Sequence, residues 1–366
     1  MNRINNNDIS VIILAAGEAN RLKPLSDYII KPLIPIAGIP LIIRILNNFI
    51  QNRFKKFIIL VSKKEELIKN EINNFFKQLK LDLKDIEITY VSQLIPLGMG
   101  DAILKTENLI KNHCKEDIPF IVSASDVIFE ENIPSILIDA YNSNPKIDFI
   151  LTYVKSNDPK IANTHGNILI KNEIIKKIIE KPGEKNKISD FYSMPIYLFK
   201  QNLFDYIKII SKSIRGEFEL QDAIQKMIDD NKIGYAVNIL PNDESLQLNQ
   251  IGKYHITYFK DIILMTSRFL IPGNYKFTNE FPAIIEPVNT IDVVETEESV
   301  LIGPNVFIHS NCKIGAFSEI TNSILLGNNR IGKNVKIMDS IIGFNVEIPN
   351  NCIIENRLIL NNKITL

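Results

Sequence analysis

Hydrophobic and polar positions follow two different rhythms along the chain, and the change falls near residue 265. Before it, short apolar runs alternate with amphipathic stretches. Residues 11–16 (VIILAA), 55–62 (KKFIILVS), 86–93 (IEITYVSQ) and 119–129 (PFIVSASDVIF) read as strands. Residues 40–52, 63–79 and 98–110 read as helices, with Leu41, Ile45, Leu46 and Phe49 on one face of the first. Strands at 148–156, 166–172 and 193–199 and a helix at 218–232 continue the series. Such alternation predicts an α/β domain over residues 9–265, built on an open parallel sheet with helices on both faces.

The last third is different. Ile302, Ile308, Ile314, Ile320 and Leu326 recur every six residues; Ile331 comes one residue short, Ile337 resumes, Ile342 is short again, and Ile348 and Ile354 close the series. Gly follows the aliphatic at 303, 315, 327, 332 and 343, and a small or apolar residue sits four positions on at Val306, Cys312, Ser318, Val335, Val346 and Cys352. A six-residue period reads as a solenoid in which each short strand turns one aliphatic inward, with Gly or Asn at the turns. The pattern resembles the hexapeptide-repeat left-handed β-helix. Residues 300–366 would hold about three and a half coils of roughly eighteen residues, and 266–299, rich in Pro and polar residues, reads as a linker.

Composition narrows the function. Lys plus Arg and Asp plus Glu both number 42 in 366 residues, so net charge argues for neither nucleic acid nor an anionic membrane as partner. No apolar run is long enough to span a bilayer, and the N-terminal MNRINNNDIS lacks the apolar core of a signal peptide. Cys114, Cys312 and Cys352 are too scattered for a metal or disulfide pattern, and the expectation is a cytoplasmic protein.

The chemistry-bearing residues begin where the first apolar run stops. In VIILAAGEANRLKPLSDYIIKPLIPI, residues 11–36, a strand opens into a glycine turn followed by two isolated cations, Arg21 and Lys31. A strand–turn–helix junction offers backbone N–H groups to an anion, Arg can hold phosphate bidentately, and Lys offers a point charge. Pro24, Pro32 and Pro35 stiffen the loop. Read alone, the two cations are also compatible with a solvated loop, and Asp126 after its strand with a helix cap.

The stretch resembles the signature of the sugar-1-phosphate nucleotidyltransferases, roughly L-A-A-G-x-G-T-R-[LM]-x-P-L-T-x-x-x-P-K-P-L-x-P-[IV]-x-G-x-P-[LM]-I. It keeps LAAG at 14–17, Arg21-Leu22, Pro24-Leu25, Lys31-Pro32-Leu33, Pro35-Ile36, Gly38 and PLI at 40–42. Farther on, Gln93 with Leu97-Gly98-Met99-Gly100 is similar to the family's nucleobase loop, and Ser125-Asp126 to its G-D metal motif. His165-Gly166 is similar to its Y-G pair, Glu180-Lys181-Pro182 to its E-K-P, and residues 215–222 to its R-G-E-x-E-[IL]-T-D segment.

The resemblance covers nearly the whole chain and implies a Rossmann-like nucleotidyltransferase domain that joins an NTP to a sugar 1-phosphate and releases pyrophosphate. It implies that Leu14, Ala15, Ala16 and Gly17 approach the nucleotide, that Gln93 and Gly98 hold the base, and that Arg21 and Lys31 hold phosphates. Glu180, Gly166 and Ser193 would read the sugar and Lys181 its phosphate. Mg²⁺ would sit on Asp126, with Asn249 or its neighbour Gln250 in place of the second ligand; of these Asn249 is taken. The β-helix would serve for assembly into a homo-oligomer.

Several positions depart from the pattern: Ala19-Asn20 replace Gly-Thr, Ile30 a Pro, Met99 a Thr, Ser125 a Gly, and Ser193-Met194-Pro195 the sugar-site N/A-x-G. Ala19 is expected to resist φ > 0 and reshape the loop. These departures keep open a nucleotide-sugar-binding regulatory paralogue, and a mannose-1-phosphate guanylyltransferase is the alternative to a glucose-1-phosphate enzyme. An acetyltransferase role for the β-helix finds no matching motif, and His309 reads as a turn residue.

Overall fold

The computed structural model describes residues 3–62, 64–78, 85–113, 118–240, 245–246, 250–278, 282–360 and 363–365. Contacts divide it into two compact units. The first comprises Met1–Glu18, Lys31–Leu33 and Leu41–Ile251; the second comprises Ala19–Ile30, Ile34–Pro40 and Gly252–Leu366. The signature stretch is thus shared out: Lys31 belongs to the first unit and Arg21 to the second.

In chain order the strands before the solenoid are β1 (Ser10–Ala15), β2 (Pro35–Ile36), β3 (Ile39–Pro40), β4 (Lys56–Val61), β5 (Glu87–Ser92) and β6 (Phe120–Ala124). They continue with β7 (Phe149–Ser156), β8 (Asn167–Lys171), β9 (Ile174–Ile179), β10 (Phe191–Phe199), β11 (Gly234–Asn238) and β12 (Ser245–Leu246). The first unit is a ten-stranded sheet in the order β12-β7-β11-β9-β8-β10-β6-β1-β4-β5. Strands β6, β1, β4 and β5 run parallel, as expected. The remainder is mixed: β10 is antiparallel to both β6 and β7, and β8–β9 is an antiparallel hairpin. The hairpin closes on Asn172 (φ 51) and Glu173 (φ 61), a two-residue turn with both central residues left-handed, the geometry that folds a strand directly back. The expectation of an all-parallel sheet missed this because β9 (IIKKII) carries no glycine to mark the turn before it.

Central β1 is hydrogen-bonded on both edges, and Val11, Ile12 and Ile13 are wholly buried. The helix Leu41–Gln51 buries the expected face and also Ile42 and Ile43. The helix expected over 98–110 is two, Met99–Leu104 and Glu107–His113. The strand expected to run to 129 ends at Ala124, where the chain turns and leaves Asp126 half-buried at the strand's end.

In the second unit, short strands stack in three parallel sheets of five, six and four strands, the last strand of the second sheet turning back antiparallel. Val306, Ile308, Ile314, Ile320, Ile331, Ile337, Ile342, Ile348 and Ile354 line the interior as the spacing predicts. Strands Ala283–Ile284, Val288–Thr290 and Glu295–Thr296 lie in the stretch that reads as linker, and pair in register with the following coil. The coils are eighteen residues only at first (Ala283 opposite Leu301); later partners lie seventeen apart (Ile324 opposite Ile341).

The missing residue explains the two short intervals. Leu325, not Leu326, faces the core. At that corner Asn322, Asp339 and Asn356 take left-handed angles. Buried Ser323 and Ser340 stitch successive coils, each hydroxyl accepting the N–H of the next: Ser340 N at 3.1 Å and Arg357 N at 3.0 Å. The inward position between Cys312 and Val346 is Asn329, fully buried; Gly327 N donates to its Oδ1 (3.0 Å) and its Nδ2 donates to the Gly343 carbonyl (2.7 Å).

Asparagine dominates the left-handed corners, at 305, 311, 322, 328, 334, 345, 351 and 356. Among the repeat glycines, Gly315 serves a different need: a Cβ there would lie 2.7 Å from the backbone of Gly332 in the next coil. Gly315→Ala is therefore expected to force the coils apart and cost about 1–3 kcal/mol. Urea unfolding of the full chain measures this, and wild-type stability would show that the spacing is not set there.

Candidate functional site

Sheet topology gathers most of the sequence-predicted residues of the first unit at one edge. Parallel neighbours β4 and β6 flank β1 on opposite sides while their connections leave in opposite directions, and such a switch point opens a crevice at the carboxyl ends of the strands. Leu14, Ala15, Ala16 and Gly17 end β1 there, and Ser125 N donates to the Leu14 carbonyl at 3.1 Å. A Cβ on Gly17 would meet nothing within 4 Å, so packing of the protein itself does not demand a glycine at this place.

Asp126 follows β6 directly, and its carboxylate pairs with the Lys31 ammonium; both side chains are mostly buried, 19% and 15% exposed. The loop after β5 lies at the same edge, anchored by Gln93 N to the Val61 carbonyl (2.8 Å). The Gln93 side chain is buried, and its Nε2 donates to Asp101 Oδ2 (2.8 Å) and the Gly98 carbonyl (3.2 Å). Its amide nitrogen thus holds the loop's shape. Gly98 has φ 99°, and added Cβ atoms on Gly98 and Gly100 would each lie 2.8 Å from the Phe218 carbonyl. Met99, which departs from the family pattern, packs on the apolar core.

The second cluster forms where three strands meet. Asn167 at the start of β8 pairs with Tyr192 of β10 and with Ile179 at the end of β9. Gly166, Ser193 and Glu180 are therefore brought together, and Ser193 N donates to the Gly166 carbonyl at 2.8 Å. A bulge in the pairing of β10 with β7, between Met194 and Tyr197, takes up the Ser193-Met194-Pro195 departure. The antiparallel pairing of β10 with β6 carries this cluster toward the edge where Asp126 emerges.

Glu180 is the electrostatic centre of the cluster. Its side chain is 8% exposed; Lys181 Nζ lies 2.8 Å from Oε1 and Arg215 3.7 Å from the same oxygen. Arg215 is itself held by Glu219, at 2.8 Å. Burial pushes the Glu180 carboxyl above the ordinary range against the pull of Lys181, while Glu219 adds to the rise. Lys181 adopts φ 44°, a strained angle for a side-chain-bearing residue. Sequence reasoning matched Gln221 only as part of the 215–222 segment and gave it no role; its burial beside Gly166 on the helix Leu220–Asp229 has no local sequence signal.

Ala19, expected to resist a left-handed angle, adopts one (φ 52°, ψ 39°), so the turn keeps the conformation a glycine would give. Arg21 is exposed on the short helix Asn20–Leu22 of the second unit. Asn249 lies outside the described residues. Among the described residues no group of three or more His, Cys, Asp or Glu gathers as a metal site, and no helix is long and apolar enough to cross a membrane. A cavity of about 530 Å³ at the opposite edge, lined by Asn6, Asn52 and Arg53 among others, contains none of the predicted residues.

Residues 10–243 match the family model described as nucleotidyl transferase, and residues 284–366 the GMPPB C-terminal domain. The chain is 30% identical to the bifunctional protein GlmU of Methanococcus aeolicus, over 95% of this chain and 80% of that protein. It is 24% identical to the UTP--glucose-1-phosphate uridylyltransferase AglF of Haloferax volcanii, over 63% of this chain and 88% of that protein. The solved structure of a UDP-glucose pyrophosphorylase complexed with UDP-glucose matches 63% of this chain and 90% of its own, with a TM-score of 0.55 and 20% identity, a likeness of fold.

The raised Glu180 pKa has a stability consequence. The folded chain keeps this proton at pH values where the unfolded chain has released it. Stability is therefore expected to fall as pH rises from the ordinary carboxylate range through the folded pKa. Glu180→Gln should flatten that part of the profile in urea unfolding between pH 4 and 8. Parallel profiles for the two proteins would show that Glu180 ionises in the fold as it does in the unfolded chain.

Proposed function

Because the chain belongs to the nucleotidyl transferase family, we propose that it transfers a nucleotidyl group from an NTP to a sugar 1-phosphate, with glucose 1-phosphate as the sugar. The observation that supports this most is the pairing of two separate cation–carboxylate sets on one sheet edge, Lys31 with Asp126 and Lys181 with Glu180. One set suits phosphates in the switch-point crevice; the other combines a phosphate-binding cation with a buried carboxylate that suits hydroxyls. The name of the Haloferax volcanii relative favours glucose 1-phosphate.

In the reaction, a phosphate oxygen of the sugar 1-phosphate bonds to the α-phosphorus of the NTP. The bond from that phosphorus to the α–β bridging oxygen breaks, and pyrophosphate leaves with the electron pair. The attacking oxygen is already anionic, so no general base is needed; the work is positioning and charge neutralisation. Lys31 would lie between the two reacting phosphates, and Lys181 would hold the sugar phosphate. Gln93 would keep the base loop in shape through Gly98 and Asp101. The small residues Ala15, Ala16 and Gly17 would let the nucleotide reach backbone N–H groups.

A hard divalent cation commonly takes one or two protein carboxylates and completes its shell with substrate phosphate and water. Asp126, one carboxylate at a strand end, fits that donor set, and Mg²⁺ held there would neutralise charge on the α-phosphate.

The test is pyrophosphate release from a matrix of NTPs and sugar 1-phosphates with Mg²⁺. Release is expected with glucose 1-phosphate, and Lys31→Ala should lower kcat by about 10²–10³-fold, as for removal of a single charge-stabilising donor. Absence of release for every pair, with a nucleotide sugar still bound, would instead establish a binding protein.

A further inference from the structure

The cavity of about 530 Å³ in the first unit lies at the amino ends of β1 and β4, where Asn7 precedes one strand and Arg53 the other. Its walls are fastened by the protein's own hydrogen bonds. Asn142 clamps the N-terminal segment as a neighbouring strand would: Ile4 N donates to its Oδ1 (3.0 Å), and its Nδ2 donates to the Ile4 carbonyl (3.1 Å). Asn6 Nδ2 donates to the Asn52 carbonyl (2.7 Å), and Ser135 Oγ to Asn52 Oδ1 (2.7 Å). The wall carries two arginines against one aspartate. Arg3 is spent on Asp139 at 2.7 Å. The Arg53 guanidinium makes no ion pair or hydrogen bond among the described residues, so the uncompensated charge is positive and sits there.

Arg53 also stands where local structure calls for another residue. The helix Leu41–Gln51 ends in a Schellman turn, with Phe54 N donating to the Phe49 carbonyl (3.1 Å) and Arg53 N to the Ile50 carbonyl (2.8 Å). Arg53 is the left-handed residue of that turn, with φ 66°, a place suited to Gly or Asn. Asparagine takes this conformation at 172 and 231 of the same unit. Among the described residues the only cations that take it are Lys181 and Arg53. Strain kept at an exposed, unpaired charge serves no packing need and points to function.

We infer that this cavity is a second binding site, for a small polyhydroxylated anion. The Arg53 fork can take two oxygens of a phosphate ester or of a carboxylate at once. The carboxyl end of a helix disfavours an anion, so a site placed there needs a cation of its own. The side chains of Asn5, Asn7 and Gln51 line the same cavity and bond to nothing else among the described residues. Each amide offers donors and an acceptor, which suits hydroxyl groups. The volume is that of a metabolite pocket and exceeds what a lone ion needs. None of these residues takes part in the proposed transfer, so binding here succeeds or fails separately from it.

The test is calorimetry on the full chain with glycerol 3-phosphate, glycerate, inorganic phosphate and glycerol. The first two join hydroxyls to an anion, and their ranking tells a phosphate ester from a carboxylate. At least one of them should bind with a Kd of about 1 mM or tighter. That probe should bind at least about 10-fold more tightly than inorganic phosphate or glycerol, each of which lacks one half of the pattern. Hydrogen exchange should slow on binding around residues 3–7 and 51–53. Arg53→Asn gives the turn a residue it accepts, so thermal unfolding should be unchanged or raised while affinity falls about 10–10²-fold. Lys31→Ala/Lys181→Ala, which removes the cations of the candidate transfer site, should bind the probe as the wild type does. Four results overturn the site: no binding of either hydroxylated anion, equal binding of inorganic phosphate, wild-type affinity in Arg53→Asn, or slowed exchange confined to the carboxyl ends of the strands.

Discussion

The first unit depends on one constraint: β1 is bonded on both edges and buried on both faces, so it can carry no chemistry along its length. Polar function is pushed to the strand's carboxyl end. There the chain must leave the sheet through small residues, and the β6 neighbour reaches its own end at the same level. Asp126 and the Leu14–Gly17 turn therefore share an edge because of hydrogen-bond register. The loop carrying Gln93 is placed there by the same register, through Val61.

Electrostatics then divides that edge. Near β6 the charges cancel locally, the Lys31 ammonium against the Asp126 carboxylate. At the β8–β9–β10 junction the balance is uneven. Glu180 is buried and shares a neighbourhood with Glu219, while Arg215 divides its attention between the two carboxylates and only Lys181 sits close to Glu180. A phosphate arriving at Lys181 would compete directly with that ion pair. Lys181 carries a strained left-handed φ at this junction, with its ammonium on Glu180.

Much of this was legible from residue order. The apolar runs marked β1, β4, β5 and β6, and the six-residue period marked the coils, because both patterns are local. What escaped was non-local. The antiparallel insertion of β10 depends on which strands meet, not on any one strand's composition. Gln221 stands inside the matched 215–222 segment, but only the fold sets it beside Gly166. The Ala19 expectation failed because steric preference was allowed to outvote the fold; the left-handed region costs only about 1–2 kcal/mol, which surrounding contacts can supply. The glycines of the repeat were read as turn-formers, yet the corners belong mainly to asparagine, and glycine at 315 answers the closeness of two backbones.

The seventeen-residue coil makes length itself a selected quantity in the second unit. Asn311 bonds to Asn328 and Asn334 to Asn351, each across one coil, so these corner side chains find their like at a fixed sequence distance, and Asn322 meets Asp339 at the same distance. The change from eighteen to seventeen residues is absorbed at the corner before Leu325, and the aliphatics beyond it still face inward. Gain or loss of a whole coil would keep the corners stacked on corners. Such a structure can grow or shrink by copying or excising one unit, while a single-residue change has a place only at a corner, where the turn can take it up.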